Sequence, residues 1–381
     1  MMKALTLACV LLLCTALLPA GCTKKKKRLN VQRRVVMGMG DAAHTGVAPV
    51  SGVRISGTLL WKIKAQKTMR PYLIADEDAV YYTDHQEKPH AVDRSTGAVK
   101  WNFEENFITT SPMIVDDTLF VGTGHSDMYP IDRKTGARMG RWHSVLTEHS
   151  ATPVTSELTA SGDAIYFALG PGYVFSVDID TAQMNWKFKA DGPVHGSPAV
   201  AGQTVYVASS AGRLYALSEE SGKVIWTYQA KGPLVSSPVV ADGLVLFRNE
   251  FGNLAAVSAK NGELAWTFVV NSSTRQPPAV VDNTAYFGDE YGNFYAVDVR
   301  SGNPKWQQKV SDGILGAAVI ADGVLYFGSM DKYLYAMDSA TGEIKWKFET
   351  SGPVYVAPAV ADRFVAVLDG TGMLHAIAQS P

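Results

Sequence analysis

The eight tryptophans of this 381-residue chain stand at positions 61, 101, 142, 186, 226, 266, 306 and 346, with intervals of 40, 41, 44, 40, 40, 40 and 40 residues. A period of this kind marks a repeat architecture, because each unit can bury its apolar face only on its neighbours. The same phrase precedes most of the tryptophans. It reads Ala91-Val92-Asp93…Thr96-Gly97…Trp101, then Ala216-Leu217-Ser218…Ser221-Gly222…Trp226, and recurs before Trp306 and Trp346. The copy ending at Trp142 has two extra residues after Gly136, and the copy ending at Trp186 has Ala182 in place of the glycine.

Within one period the pattern predicts four short strands. In residues 197–229, Ser197-Pro198-Ala199-Val200 opens strand A and Thr204–Ala208 alternates as strand B. Leu214–Leu217 forms C and Val224–Tyr228 forms D, with turns at Ala201-Gly202, Ala211-Gly212 and Ser221-Gly222. Glycine supplies the positive φ of tight hairpins, and the flanking β-branched and aromatic alternation is the strand signal. Four strands in every ~40 residues predict an all-β, eight-bladed β-propeller. The last segment, 353–379, holds only three strands and no tryptophan, whereas Gly57–Ala65 is a lone Trp-bearing D strand. The N-terminal strand is therefore expected to complete the last blade and pair both sheet edges. In this architecture the repeated Trp, Asp and Gly positions are structural, filling layers and closing corners.

The first 34 residues differ from the rest. Lys3 and the apolar stretch Ala4–Leu18 read as an export signal over 1–21, too short for the ~20 residues of a spanning helix. Leu18-Pro19-Ala20-Gly21-Cys22 resembles a bacterial lipobox, which implies lipidation of Cys22. Cleavage there removes Cys9 and Cys14, the only other cysteines, so the mature chain would have no disulfide and no thiolate metal site. Thr23 after the cysteine implies the outer rather than the inner membrane, and residues 22–56 read as a basic, flexible tether. Eight basic residues precede residue 35, and the remainder holds 27 basic against 36 acidic ones, a net charge of −9. That excludes a globally basic nucleic-acid binder.

The tryptophan phrase resembles the quinoprotein-type (PQQ-like) β-propeller family across about 85% of the chain, residues 57–381. Gly40-Asp41-Ala42-Ala43-His44-Thr45-Gly46 is similar to a leader that precedes such propellers. With the lipobox, the resemblance is to lipid-anchored propellers of the outer-membrane β-barrel assembly machinery. It implies a non-enzymatic, monomeric scaffold on the periplasmic face, with an envelope protein as partner and no cofactor. Two other readings stay open: a propeller binding a different envelope protein or a glycan, and a degenerate quinoprotein oxidoreductase. Quinoprotein dehydrogenases sandwich their cofactor between a floor tryptophan and a vicinal disulfide, beside calcium. Here every tryptophan is committed to the repeat and the mature chain has no thiol.

The eight histidines show no pairing at helical spacing, so no metal site is expected. What varies inside the repeat is the D–A loop just ahead of each A strand. Loops on a rigid scaffold carry binding, and arginine and tyrosine are enriched at binding hot spots. His149, His195, Arg275 and Tyr355 are therefore the candidate partner-binding residues.

Overall fold

A computed structural model describes residues 33–48, 56–65, 72–84, 87–104, 108–140, 142, 152–270, 272–273 and 275–378. These residues form eight antiparallel sheets of four strands each, arranged as the blades of a propeller. The fourth blade has the order predicted for it: Ala199–Ala201, Thr204–Ala208, Arg213–Ser218 and Val224–Gln229. In this blade the A strand lies innermost and the D strand forms the rim. The B strand is almost wholly buried, and the D strand alternates between exposed and half-buried residues. In the last blade Thr58–Lys64 lies antiparallel to Met373–Ala378, so the chain's beginning closes the ring on its end.

Each tryptophan joins one blade to the next. The indole N–H groups of Trp61, Trp101, Trp186, Trp226, Trp266 and Trp306 donate to backbone carbonyls of the following blade at 2.7–3.1 Å. The glycine of the next C–D corner lies flat on the same ring. Gly262 (φ +75°) has no space for a Cβ, which would stand 2.6 Å from Trp226 Cε3. The repeated Asp holds that corner closed. Asp93 Oδ1 accepts the Ser95 and Thr96 N–H groups at 3.0 and 2.9 Å. Hydrogen bonds from the Ser95 and Thr96 hydroxyls help to keep its carboxyl below the usual range.

A paired substitution separates the two demands on glycine. Gly262→Ala meets both the positive φ and the Trp226 ring. Gly243→Ala, at φ +77° with nothing within 4 Å, meets only the first. The expected costs are about 2 kcal/mol or more for Gly262→Ala and about 1 kcal/mol for Gly243→Ala, read from chemical denaturation.

The second blade departs from the repeat. Its sheet comprises Val35–Val36, Met113–Val115, Thr118–Gly122 and Met128–Asp132, and where the D strand is expected the described residues give a bridge between Ile131 and Arg138 and backbone bonds from Met139 and Trp142 to the Pro130 and Met128 carbonyls at 2.8 and 2.9 Å. Trp142 follows its corner glycine by six residues rather than four. The ring still packs 5.2 Å from Phe120, the position that Tyr206 holds beside Trp226, in the core between the second and third blades. The corner that would have covered the ring is the one where Ala182 replaces glycine, at φ +56°.

Candidate interaction face and central channel

Two classes of turn divide the molecule into unlike faces. The A–B turns use two residues at positive φ, as in Asp242-Gly243, Asp282-Asn283 and Asp322-Gly323, the twist that two-residue hairpins require. They share a face with the C–D corners, and both are rich in aspartate. Onto this face comes the basic end of the leader. The Arg33 guanidinium, only 14% exposed, bonds Asp116, Asp163 and Asp180 at 3.2, 3.4 and 2.7 Å, and Arg34 pairs with Glu77.

From there the leader enters the channel. Val35 and Val36 pair with Val115 and Ile114 on the inner edge of the second blade. The chain then turns on itself. Gly40 sits at φ +82°, where a Cβ would collide with the Val47 carbonyl at 2.4 Å, and Asp41 accepts the Thr45 N–H and hydroxyl at 3.0 and 2.7 Å. The carbonyls of Ala42, Ala43, Thr45 and Gly46 accept the N–H groups of Val200, Val240, Val280 and Ile320 at 2.6, 2.9, 2.6 and 3.0 Å. The leader motif is thus a plug, bonded in turn to the inner strands of four consecutive blades. Within the segment 22–56 read as a tether, the residues that bind the ring are 33–48. Arg33–Ala48 belongs to the ring, because its backbone groups are satisfied there rather than by water.

His44 is the buried centre of the plug, 2% exposed and at φ +62°. Its Nδ1 lies 3.1 Å from the Pro238 carbonyl, which can only accept, so Nδ1 carries the proton. Nε2 then accepts from the Thr159 hydroxyl at 2.9 Å. Burial pushes the imidazole pKa down to about 4 and keeps the ring neutral. Across the plug stands Glu157, at a position where six other blades have an uncharged residue (Ser111, Ser197, Ser237, Pro277, Ala317 and Ala357). Burial raises its carboxyl to about 7.

The D–A and B–C loops form the opposite face. His195, Arg275 and Tyr355 are exposed there, each four residues ahead of an inner strand (Ala199–Ala201, Ala279–Val281 and Ala359–Ala361). They are equivalent positions in the fourth, sixth and eighth blades, so they alternate around the mouth rather than cluster. Tyr355, with Tyr72, Gln276 and Glu157, lines a cavity of about 280 Å³ at that mouth. His149 and Cys22 lie outside the described residues.

Sequence reasoning missed two features of this face. Arg248 is fully buried and donates to the carbonyls of Gly252, Gln276 and Gly288 at 3.0, 3.3 and 3.4 Å, fixing the loop that carries Arg275. Burial lowers its pKa to about 10. The signal was a lone charge where other repeats have Ala208, Gly288, Gly328 and Leu368. Phe251 and Tyr291, 40 residues apart in the B–C turns, are 55% and 59% exposed where the neighbouring repeats carry Ala211 and Asp331.

The plug crosses the channel, and the cavity of about 420 Å³ beside the plug has no aromatic ring among its lining residues on which a quinone could stack, whereas Tyr72 and Tyr355 line the cavity at the mouth. Among the described residues no group of three or more His, Cys, Asp or Glu could hold a metal ion.

Comparison with known proteins adds relatives to this geometry. A family model described as "Outer membrane protein assembly factor BamB" matches residues 48–193, 172–314 and 310–380. No curated protein matches the chain at a significant level. Among solved structures, BamB from Moraxella catarrhalis is 17% identical with a TM-score of 0.67, covering 84% of this chain and 99% of that one. The quinohemoprotein alcohol dehydrogenase from Comamonas testosteroni is 13% identical with a TM-score of 0.75, covering 90% and 80%. A computationally designed protein, Ika8, is 14% identical with a TM-score of 0.71, covering 83% and 99%. At these identities the structural likeness carries the fold alone.

Proposed function

Because the chain belongs to the PQQ-like propeller family described as outer membrane protein assembly factor BamB, we propose that it is a non-enzymatic scaffold in outer-membrane β-barrel assembly. In this reading Cys22 is lipidated and holds the ring at the periplasmic face of the outer membrane. The observation that carries the proposal is the plug. The channel in which a propeller enzyme would do its chemistry is threaded by the chain's own backbone, bonded to blade after blade. What remains variable is the face of D–A and B–C loops, broad enough for the ~800 Å² per partner that stable complexes bury. The dehydrogenase neighbours share the fold, but catalysis needs a site, and the channel residues do not supply one.

Affinity capture from solubilised membranes tests the partner. The combined variant His149→Ala, His195→Ala, Arg275→Ala and Tyr355→Ala is expected to lose co-purification of the assembly machinery by ~10-fold or more, with an unchanged melting temperature. Wild-type yield from that variant places the contact on another surface.

A further inference from the structure

One backbone position per blade turns its N–H toward the channel axis. The hairpin register identifies it as the inner-strand residue two before the first turn residue of the A–B hairpin. Around the ring these are Ala75, Ile114, Ala160, Val200, Val240, Val280, Ile320 and Val360. The plug answers most of them. Ile114 pairs with Val36, and Val200, Val240, Val280 and Ile320 donate to plug carbonyls. At the third blade the plug is tied through the His44 ring to Thr159, next to Ala160.

Besides Ala160, Ala75 and Val360 are left without a plug carbonyl, and these two face one cavity. Both are buried, at 5% and 8% exposure, and no described residue gives their N–H an acceptor. Both line the cavity of about 420 Å³, which lies between the plug and the inner strands Leu73–Ala75 and Ala359–Ala361 of the first and eighth blades. Its walls include Val35, Ile74 and Val319, and Glu77 and Asp362 stand exposed at its rim. The volume falls in the ~300–1,000 Å³ range of ligand sites.

We propose that this cavity takes a short, extended, uncharged segment of another polypeptide, whose carbonyls accept from Ala75 and Val360 as the plug's carbonyls accept from the equivalent positions. The plug shows what these inner edges bind: a backbone with side chains as small as alanine, glycine and threonine. Buried strand edges recruit such segments by β-augmentation, with main-chain bonds supplying affinity. A charged ligand has less to gain, because Arg33 and Arg34 at the cavity are already paired with Asp163, Asp180 and Glu77.

The test uses the mature chain and the acetylated, amidated peptide Gly-Ala-Val-Ala-Val-Ala-Gly, beside the same peptide N-methylated at every residue, which keeps the carbonyls but bars both backbone edges from close approach to a strand. The unmodified peptide is expected to bind saturably and to slow amide exchange at Ala75 and Val360 by ~10-fold or more, leaving Val200 and Val240 unchanged. The N-methylated peptide is expected not to bind. The double variant Ala75→Pro, Val360→Pro deletes only the two inward N–H groups, outside the hairpin ladders, and is expected to weaken binding ~10-fold or more. Absence of saturable binding, equal binding of the methylated peptide, protection elsewhere alone, or wild-type affinity in a folded double variant each overturns the proposal. If the double variant does not fold, exchange and methylation on the wild-type chain decide by themselves.

Discussion

Deleting Gly57–Ala65 is expected to abolish the cooperative melting transition or lower its midpoint by roughly 10 °C or more. The segment contains Thr58–Lys64, the outer strand of the closing blade, paired along Met373–Ala378. Its Trp61 donates to the Arg94 carbonyl at 2.8 Å and lies under Gly97 of the first blade. Loss of a buried tryptophan costs ~3–5 kcal/mol where the site cannot collapse, and the half-buried Trp61 contributes less than that. Here the deletion also leaves an unpaired strand edge and uncovers the interface between the first and eighth blades. The total is comparable with the ~5–15 kcal/mol by which whole domains are stable. Deleting Lys24–Arg28 removes five charges and is expected to leave the midpoint unchanged. Equal melting of the two deletion variants would refute ring closure by the N-terminal strand.

The plug makes the second large prediction, a pair of opposed pH effects. His44 is held at about 4 by burial, below its ordinary 6.5. A depressed histidine stabilises the fold fully above 6.5, and this contribution is lost as the pH falls toward 4. Glu157 is raised by burial from 4.5 to about 7. Its contribution is fullest below 4.5 and is lost as the pH rises through 7. Each shift is equivalent to ~3 kcal/mol at full coupling, and the Glu157 effect is expected to be about half that, because its side chain is partly open to the cavity. Between pH 7 and pH 4 the stability of wild type relative to His44→Gln should therefore fall by ~3 kcal/mol. Relative to Glu157→Gln it should rise. Denaturant titrations across that range read both slopes, and parallel curves for all three proteins would show that neither group is buried as described.

The parts of this fold legible in the sequence are those that repeat. Tryptophan 226 and Gly262 recur every 40 residues because the same ring meets the same corner at successive blade interfaces, and that period also places the strands. The lone strand around Trp61 was legible for the complementary reason, since the final segment lacked one. The plug was not legible. Its acceptors are carbonyls and its donors are backbone N–H groups of Val200, Val240, Val280 and Ile320, none of which carries a side-chain signature. The motif Gly40–Gly46 could be seen as conspicuous, but not as a strap across a channel that exists only after the ring has closed. The two extra residues after Gly136 were visible, yet their consequence, a Trp142 backbone bonded to Met128 while its ring keeps its place beside Phe120, depends on how the chain bends to reach that core. His195, Arg275 and Tyr355 lie just ahead of inner strands, where the repeat register puts them. Their alternation around the mouth follows from blade geometry rather than from spacing along the chain.

A role in outer-membrane protein assembly is tested most directly by measuring folded, heat-modifiable β-barrel proteins in outer membranes from cells lacking this chain. Cells complemented with the wild-type chain provide the reference, and cells carrying Cys22→Ser or the combined His149, His195, Arg275 and Tyr355 alanine variant complete the set. The proposal predicts a loss of folded barrel proteins without the chain, restored by wild type and not by either variant. Unchanged barrel content in cells lacking the chain would contradict the assembly role.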